Sequence, residues 1–187
     1  MAVKNKMVIG VTGMPGSGKA TVIQVAKERG HGVVVLGDVV REETKMRGLE
    51  LTPENLGRVM IKLREENGPA VVAKRCIPKI EETECRTVIV DGIRSLYEVG
   101  VLKERFKAFK SLAIHSSPET RFTRLSKRKR SDDPASWETF LERDWRELRV
   151  GLGSVIACAD LMLINEGNRV LLKQEVEKAL KDLEKSG

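Results

Sequence analysis

The chain has 187 residues, of which 41% are hydrophobic and 33% charged, and its formal net charge is +7. That length suits one well-buried core rather than two, and the lack of an uninterrupted apolar run near the ~18 residues of a membrane span excludes a transmembrane helix. The positive balance implies an anionic partner, a description that covers nucleic acid, a membrane surface and small polyphosphates alike.

The first predicted element is "KMVIGV" (Lys6 to Val11), a short, β-branched, nearly continuous apolar run, as expected of a strand buried on both faces of a parallel sheet. It is too short for the apolar part of a secretory signal, so a cytoplasmic location is expected. After it come "GMPGSGKAT" (Gly13 to Thr21) and a helical stretch over Lys19 to Arg29, with Gly30 placed to cap it. Further strands are predicted at Val33–Leu36, Thr87–Asp91, Ser111–His115 and Leu161–Asn165, with helical patterns between them. Such alternation predicts a parallel sheet with crossover helices on both faces.

Residues from about 38 to 85 are too many for one crossover and read as a helical insertion within a single domain spanning 1–187. In it Thr52 is placed to cap a helix, Pro53 to open it and Gly68 to stop it. A second helix follows, expected to bend or break at Pro78. The three cysteines, Cys76, Cys85 and Cys158, are odd in number and not closely paired, so neither a disulfide nor a zinc framework is expected.

Gly13, Gly16 and Gly18 fall between a strand and a helix that opens at Lys19. Glycines in that setting let successive backbone N–H groups converge on an anion, and the helix N-terminus adds partial positive charge. Lys19 supplies a point charge for terminal phosphates. The usual phosphate loop has Ser or Thr directly after its lysine to ligate magnesium, whereas here Ala20 fills that place and Thr21 comes one later.

The segment Gly13-Met14-Pro15-Gly16-Ser17-Gly18-Lys19-Ala20-Thr21 resembles the loop of adenylate kinases, where a small residue follows the lysine. The resemblance implies ATP and Mg2+ as cofactors, with the metal held by phosphates and waters, Thr21 near a phosphate, and Asp91 contacting the metal's waters. "GDVVR" (Gly37 to Arg41) looks like the acceptor segment of those kinases. It places Asp38 and Arg41 at the acceptor, although Asp38 as a helix cap and Arg41 as a surface charge are equally compatible with their residue types. "DGIRS" (Asp91 to Ser95) is similar to the family's aspartate-glycine-x-x-arginine, with Arg94 one position early, and adds Arg94 to the acceptor set.

The densest charge lies in "SSPETRFTRLSKRKRSDDP" (Ser116 to Pro134). A helix start is marked either by a Ser116–Glu119 capping box or by Ser117 with Pro118 first in the helix. Arg121, Arg124 and Arg128 share one face of that helix. By resemblance to the nucleotide kinases, Arg124 stacks on adenine and Arg128 reaches phosphate oxygens. "RSDDPASWETFLERDWRELR" (Arg130 to Arg149) resembles their lid segment, about 128–143, with Arg143 or Arg146 as the lid arginine and Asp132 or Asp133 either organising it or capping the next helix. "ADLMLINEGN" (Ala159 to Asn168) looks like the closing segment of dephospho-coenzyme A kinases, where backbone groups of Glu166 to Asn168 read the adenine.

Together these fragments are similar to a small archaeal P-loop family related to adenylate kinase and dephospho-coenzyme A kinase. Membership implies a three-layer α/β/α P-loop fold of nucleoside-monophosphate-kinase type, with a five-stranded parallel sheet in the order 2-3-1-4-5. It also implies transfer of the terminal phosphoryl group of ATP to a small phosphorylated acceptor, with Lys19, Arg128, Arg143 and, for a hydroxyl acceptor, Asp38 in catalytic roles. The rival is a nucleotide-dependent switch or ATPase binding RNA or a protein. Aspartates interrupt the basic stretch and aromatic residues make up only 4% of the chain, which gives no sign of a base-stacking surface.

Overall fold

A computed structural model describes residues 5–128 and 133–185. The sequence positions Lys129, Arg130, Ser131 and Asp132, part of the expected lid segment, lie outside the described residues. In chain order the elements begin β1 (Met7–Thr12), α1 (Lys19–Glu28) and β2 (Gly32–Val35). Three helices follow, α2 (Leu36–Met46), α3 (Pro53–Asn67) and α4 (Val71–Glu82), and then β3 (Thr87–Asp91), α5 (Leu96–Arg105) and β4 (Ala108–His115). The remainder is α6 (Pro118–Arg128), α7 (Trp137–Val150), α8 (Leu152–Ala157), β5 (Leu161–Ile164) and α9 (Arg169–Lys185).

All strands are parallel, in the order β2-β3-β1-β4-β5. Every residue of β1 is buried, because this central strand is packed on both sides. Val8 joins Val88 and Val90 in one apolar cluster with the side chains of α2 to α5. Ile9 and Val11 face the other way and join Ile89, Leu112 and Ile114 against α1 and α9. The period of two thus divides one strand between two cores. Its C-terminal end meets that of β3, with Val11 in register with Asp91, so the loop after β1 and the carboxylate closing β3 share one edge of the sheet.

Local rules set most boundaries. The Thr52 hydroxyl accepts from Asn55 N at 3.2 Å, with Pro53 opening α3 and Gly68 ending it. Two expectations are corrected, at Leu36 and at a break at Pro78, and two alternatives left open by the sequence are decided, at α6 and α7. Leu36 opens α2 instead of closing β2, because it is buried with Val39 and Val40 in the core beneath the sheet. Helix α4 runs unbroken through Pro78. A proline there costs ~3 kcal/mol, offset by Val72, Cys76 and Ile80, which recur at four-residue spacing in the core. At α6 the cap is Ser117, whose Oγ accepts from Thr120 N at 3.4 Å, while the Ser116 hydroxyl is drawn to Asn165 O at 2.5 Å. Helix α7 is capped by Ser136, in a reciprocal pair with Thr139, and Asp133 instead accepts from Arg128 Nε at 3.1 Å.

Candidate phosphate-binding site

The β1–α1 loop is clamped from behind by three elements. Asn165, after β5, donates Nδ2–H to Ser17 O at 2.7 Å. Arg121, on α6, donates to Pro15 O at 3.3 Å, and Thr12 donates to Ile93 O at 3.0 Å. These clamps leave no room for side chains at two glycines. A Cβ on Gly18, whose φ is +111°, would lie 2.4 Å from Asn165 Nδ2, and one on Gly13, at φ +146°, 2.4 Å from Ile114 O. The loop's positive-φ turns and close backbone approach therefore require glycine. Met14 is buried, Ser17 N donates to Met14 O at 3.1 Å, and Pro15 and Gly16 complete the turn.

Lys19 opens α1, and its ammonium donates to Gly13 O and, at 3.2 Å, to Met14 O. Burial lowers its pKa to about 8; the charge of Asp91 opposes that shift, while Arg94 adds to it. Ala20 is exposed, and Thr21 lies on the buried face of α1 with Val22 and Val25. Asp91 has the complementary problem: burial pushes its carboxyl pKa up, against the pull of Lys19, Arg94 and Arg41. Its Oδ1, like Ser17 Oγ, is buried without a hydrogen-bond partner. A desolvated carboxylate oxygen lacking a partner, beside a lysine in a glycine loop, fits the water shell of a hard divalent cation.

Around this pair gather the other candidates. Asp38 stands in the first turn of α2, not at its cap, and pairs with Arg41, both half exposed. Arg94 is drawn away from open solvent: its Nε donates to Glu147 at 2.7 Å and its Nη1 to Gly92 O at 3.2 Å. Burial pushes the Glu147 carboxyl pKa up, but Arg94, Lys19 and Arg143 together hold it below its ordinary value. Arg143 also bears on the Lys19 ammonium, whereas Arg146 extends toward Gly57 on α3 and borders a cleft there. The two lid candidates thus face different parts of the molecule.

The α6 arginines divide as well. Arg121 is 3% exposed; it forks onto both oxygens of Asp144 at 2.9 and 2.5 Å and lies 4.9 Å from the Phe140 ring centre. It braces the loop and is shut off from ligands. Arg124 donates to Ser116 Oγ at 3.0 Å and to Asn165 Oδ1 and Gly167 O at 3.3 and 3.2 Å, tying α6 to the loop after β5. Arg128 is engaged by Asp133.

Sequence reasoning missed Glu147, Asn165 and the Arg121–Asp144 fork. Arg143, Glu147 and Asp144 fall at four- and three-residue spacings on α7, a pattern shared with any salt-bridged surface helix. In the loop after β5 only backbone groups were expected to matter. Side chains act there too: Glu166 accepts from Thr120 Oγ1 at 2.6 Å, and Asn168 Oδ1 accepts from Val170 N and Leu171 N at 3.0 Å.

Residues 12–140 match the AAA domain family. The chain is 50% identical over 181 residues to a UPF0200 protein of Thermococcus gammatolerans, covering 95% of this chain and 93% of that one. Among solved structures, TT1252 from Thermus thermophilus superposes with a TM-score of 0.69 at 23% identity, covering 98% of both chains. Shikimate kinase from Bacteroides thetaiotaomicron superposes with a TM-score of 0.61 at 16% identity, covering 95% of this chain and 98% of that one. These likenesses establish a P-loop kinase-like fold. Among the described residues no helix is long and apolar enough to cross a membrane.

Proposed function

The chain belongs to the UPF0200 family and carries the AAA domain, and from that premise we propose that it is a phosphotransferase moving the terminal phosphoryl group of ATP to a small phosphorylated acceptor. The observation that carries this reading is the buried Lys19 ammonium in the glycine loop, coupled to an Asp91 carboxylate with one unpartnered oxygen. A loop built only to turn the chain has no use for either buried charge.

In this reading the backbone amides of Gly13 to Lys19 cradle the phosphates, and Lys19 exchanges its bonds to the Gly13 and Met14 carbonyls for phosphate oxygens. Asp91 holds the waters of a magnesium ion, with Thr21 close to the phosphates. Magnesium supplies charge neutralisation on the transferred group when bound. Arg143, and Arg128 once parted from Asp133, offset the charge that spreads over the phosphoryl oxygens. Arg124 flanks the nucleotide base beside the loop after β5. Arg41, aligned by Asp38, and Arg94 take the acceptor. Because the acceptor's phosphate is already a nucleophile, no general base is required, and catalysis is positioning plus electrostatics.

The test is label transfer. With γ-labelled ATP and magnesium, the label moves onto a nucleoside monophosphate or another phosphorylated acceptor, and Lys19→Met abolishes transfer. Release of inorganic phosphate alone, across a panel that includes dephospho-coenzyme A, would overturn the proposal in favour of an ATPase.

A further inference from the structure

A cleft of about 550 Å3 lies between α3 and α7, separate from the phosphate-loop cluster. Its size falls within the ~300–1,000 Å3 of sites that enclose small organic ligands. Met60 and Ile61 of α3 and Val150 of α7 give it apolar walls, and Arg58, Arg64, Arg146 and Arg149 line it as well. Ile61 is 49% exposed there, apolar surface that the packing of α3 leaves bare.

The arginines are the informative part. Elsewhere most guanidinium groups are paired, Arg29 with Glu184, Arg47 and Arg75 with Glu43, Arg94 with Glu147, Arg121 with Asp144, while the exposed Arg86 stands apart from the cleft. Arg58, Arg146 and Arg149 have no such side-chain partner among the described residues, and all three line this one cleft. Arg64 is held by Glu98 at 2.6 Å, yet its Nε is buried with no partner. Glu54 and Glu65 also line the cleft, and the arginines outnumber them. Unpaired planar forks converging on one cavity are suited to phosphate or carboxylate oxygens.

Both walls are tied to the phosphate-loop cluster. Helix α7 turns Glu147 to Arg94 and, next along the chain, Arg146 to the cleft. From α3, Arg64 reaches Glu98, whose other oxygen accepts from Arg94 N at 2.8 Å. Arg94 is thus bonded, through one carboxylate on each side, to both walls of the cavity.

We infer that the cleft binds the acceptor's body, and that the acceptor is an organic phosphate of nucleotide size carrying a second anionic group. Arg146 and Arg149, three residues apart and so neighbours on α7, hold the second anion. Met60, Ile61 and Val150 pack against its organic part. The assignment rests on the phosphotransferase reading only for which end of the ligand reacts.

The experiment is a calorimetric titration of the full chain, without ATP, using adenosine 5′-monophosphate, adenosine 3′,5′-bisphosphate and pyrophosphate as probes. The bisphosphate is expected to bind at least tenfold tighter than the monophosphate, and at least tenfold tighter than pyrophosphate, which lacks an organic part. In the double variant Arg146→Gln/Arg149→Gln the advantage of bisphosphate over monophosphate disappears; Ile61→Asp weakens both organic probes. Equal affinity of the two nucleotides, an advantage that survives the double variant, pyrophosphate binding as tightly as bisphosphate, or no binding of any probe would each overturn the inference. Triphosphate binding with magnesium, measured on the same samples, reports the phosphate loop, so failure of the phosphotransferase reading is seen separately from failure of the cleft.

Discussion

Arg94 and Glu147 form a half-buried ion pair, 2.7 Å from Nε to carboxylate, that joins the loop after β3 to α7 beside the Lys19 ammonium. Removing one member of such a pair strands the other in a poorly solvated place. Glu147→Gln is therefore expected to destabilise the fold by about 1–2 kcal/mol, between the values for exposed and fully buried pairs, read by chemical denaturation. It also deletes a negative charge that supports protonated Lys19, so the Lys19 pKa falls further.

Lys19 itself gives a pH signature. Its pKa is lowered by burial to about 8 from an unfolded value of 10.5, so in the folded protein the ammonium deprotonates as pH rises through about 8. Triphosphate affinity is expected to decline over that range, measured by titration without acceptor. The stability effect has the opposite sense: between about 8 and 10.5 the unfolded chain binds more protons, so the Lys19 contribution to stability rises with pH. Lys19→Met should raise the melting temperature by about 2–4 °C per kcal/mol relieved while abolishing triphosphate binding. A stabilised but inactive variant distinguishes a binding lysine from a structural one.

Asp91→Asn follows the same logic from the other charge. Burial raises the Asp91 carboxyl pKa, and Oδ1 has no partner; the amide variant should be at least as stable as the parent in thermal melts. Its triphosphate affinity should respond to magnesium less than the parent's does. A full magnesium dependence in Asp91→Asn would remove Asp91 from the metal site.

How much of this was legible in the sequence depends on the range of the interaction. The strands, the loop and the α3 boundaries follow from apolar runs and from Gly13, Gly18, Thr52, Pro53 and Gly68, whose signals are local, whereas the sheet order comes only with the family resemblance. Arg121 was readable only as one of three arginines on a helix face; that it turns inward to Asp144, 23 residues on, depends on packing of α7 that no local pattern encodes. Asn165 reaches Ser17 across 148 residues, and an asparagine two residues ahead of a glycine reads as a turn wherever it occurs. The helix through Pro78 is a tertiary override of a local rule.

Asn165 also carries a prediction. Its amide serves Ser17 O from one side of the phosphate loop, and its Oδ1 accepts from Arg124. Asn165→Ala leaves the buried Ser17 carbonyl short of a donor, a loss of about 1–3 kcal/mol. Gly18→Ala is expected to cost as much or more, because the new Cβ meets Asn165 Nδ2 and Leu172 at a φ of +111°. Both variants should bind triphosphate more weakly, since the loop's amides are no longer held in one arrangement.

Asp38 separates the two acceptor chemistries. A hydroxyl acceptor needs a carboxylate to take its proton, and loss of that base costs ~10²–10⁴ in rate. A phosphate acceptor is already deprotonated, and the carboxylate then serves only to align a cation. Asp38 is ion-paired with Arg41 and half exposed. A carboxylate so placed is already occupied by a guanidinium. Asp38→Asn is therefore expected to lower turnover less than tenfold and to raise the acceptor KM, with Arg41→Gln raising that KM at least as much. A fall in turnover of several orders of magnitude with KM unchanged would assign Asp38 as the base and the acceptor as an alcohol.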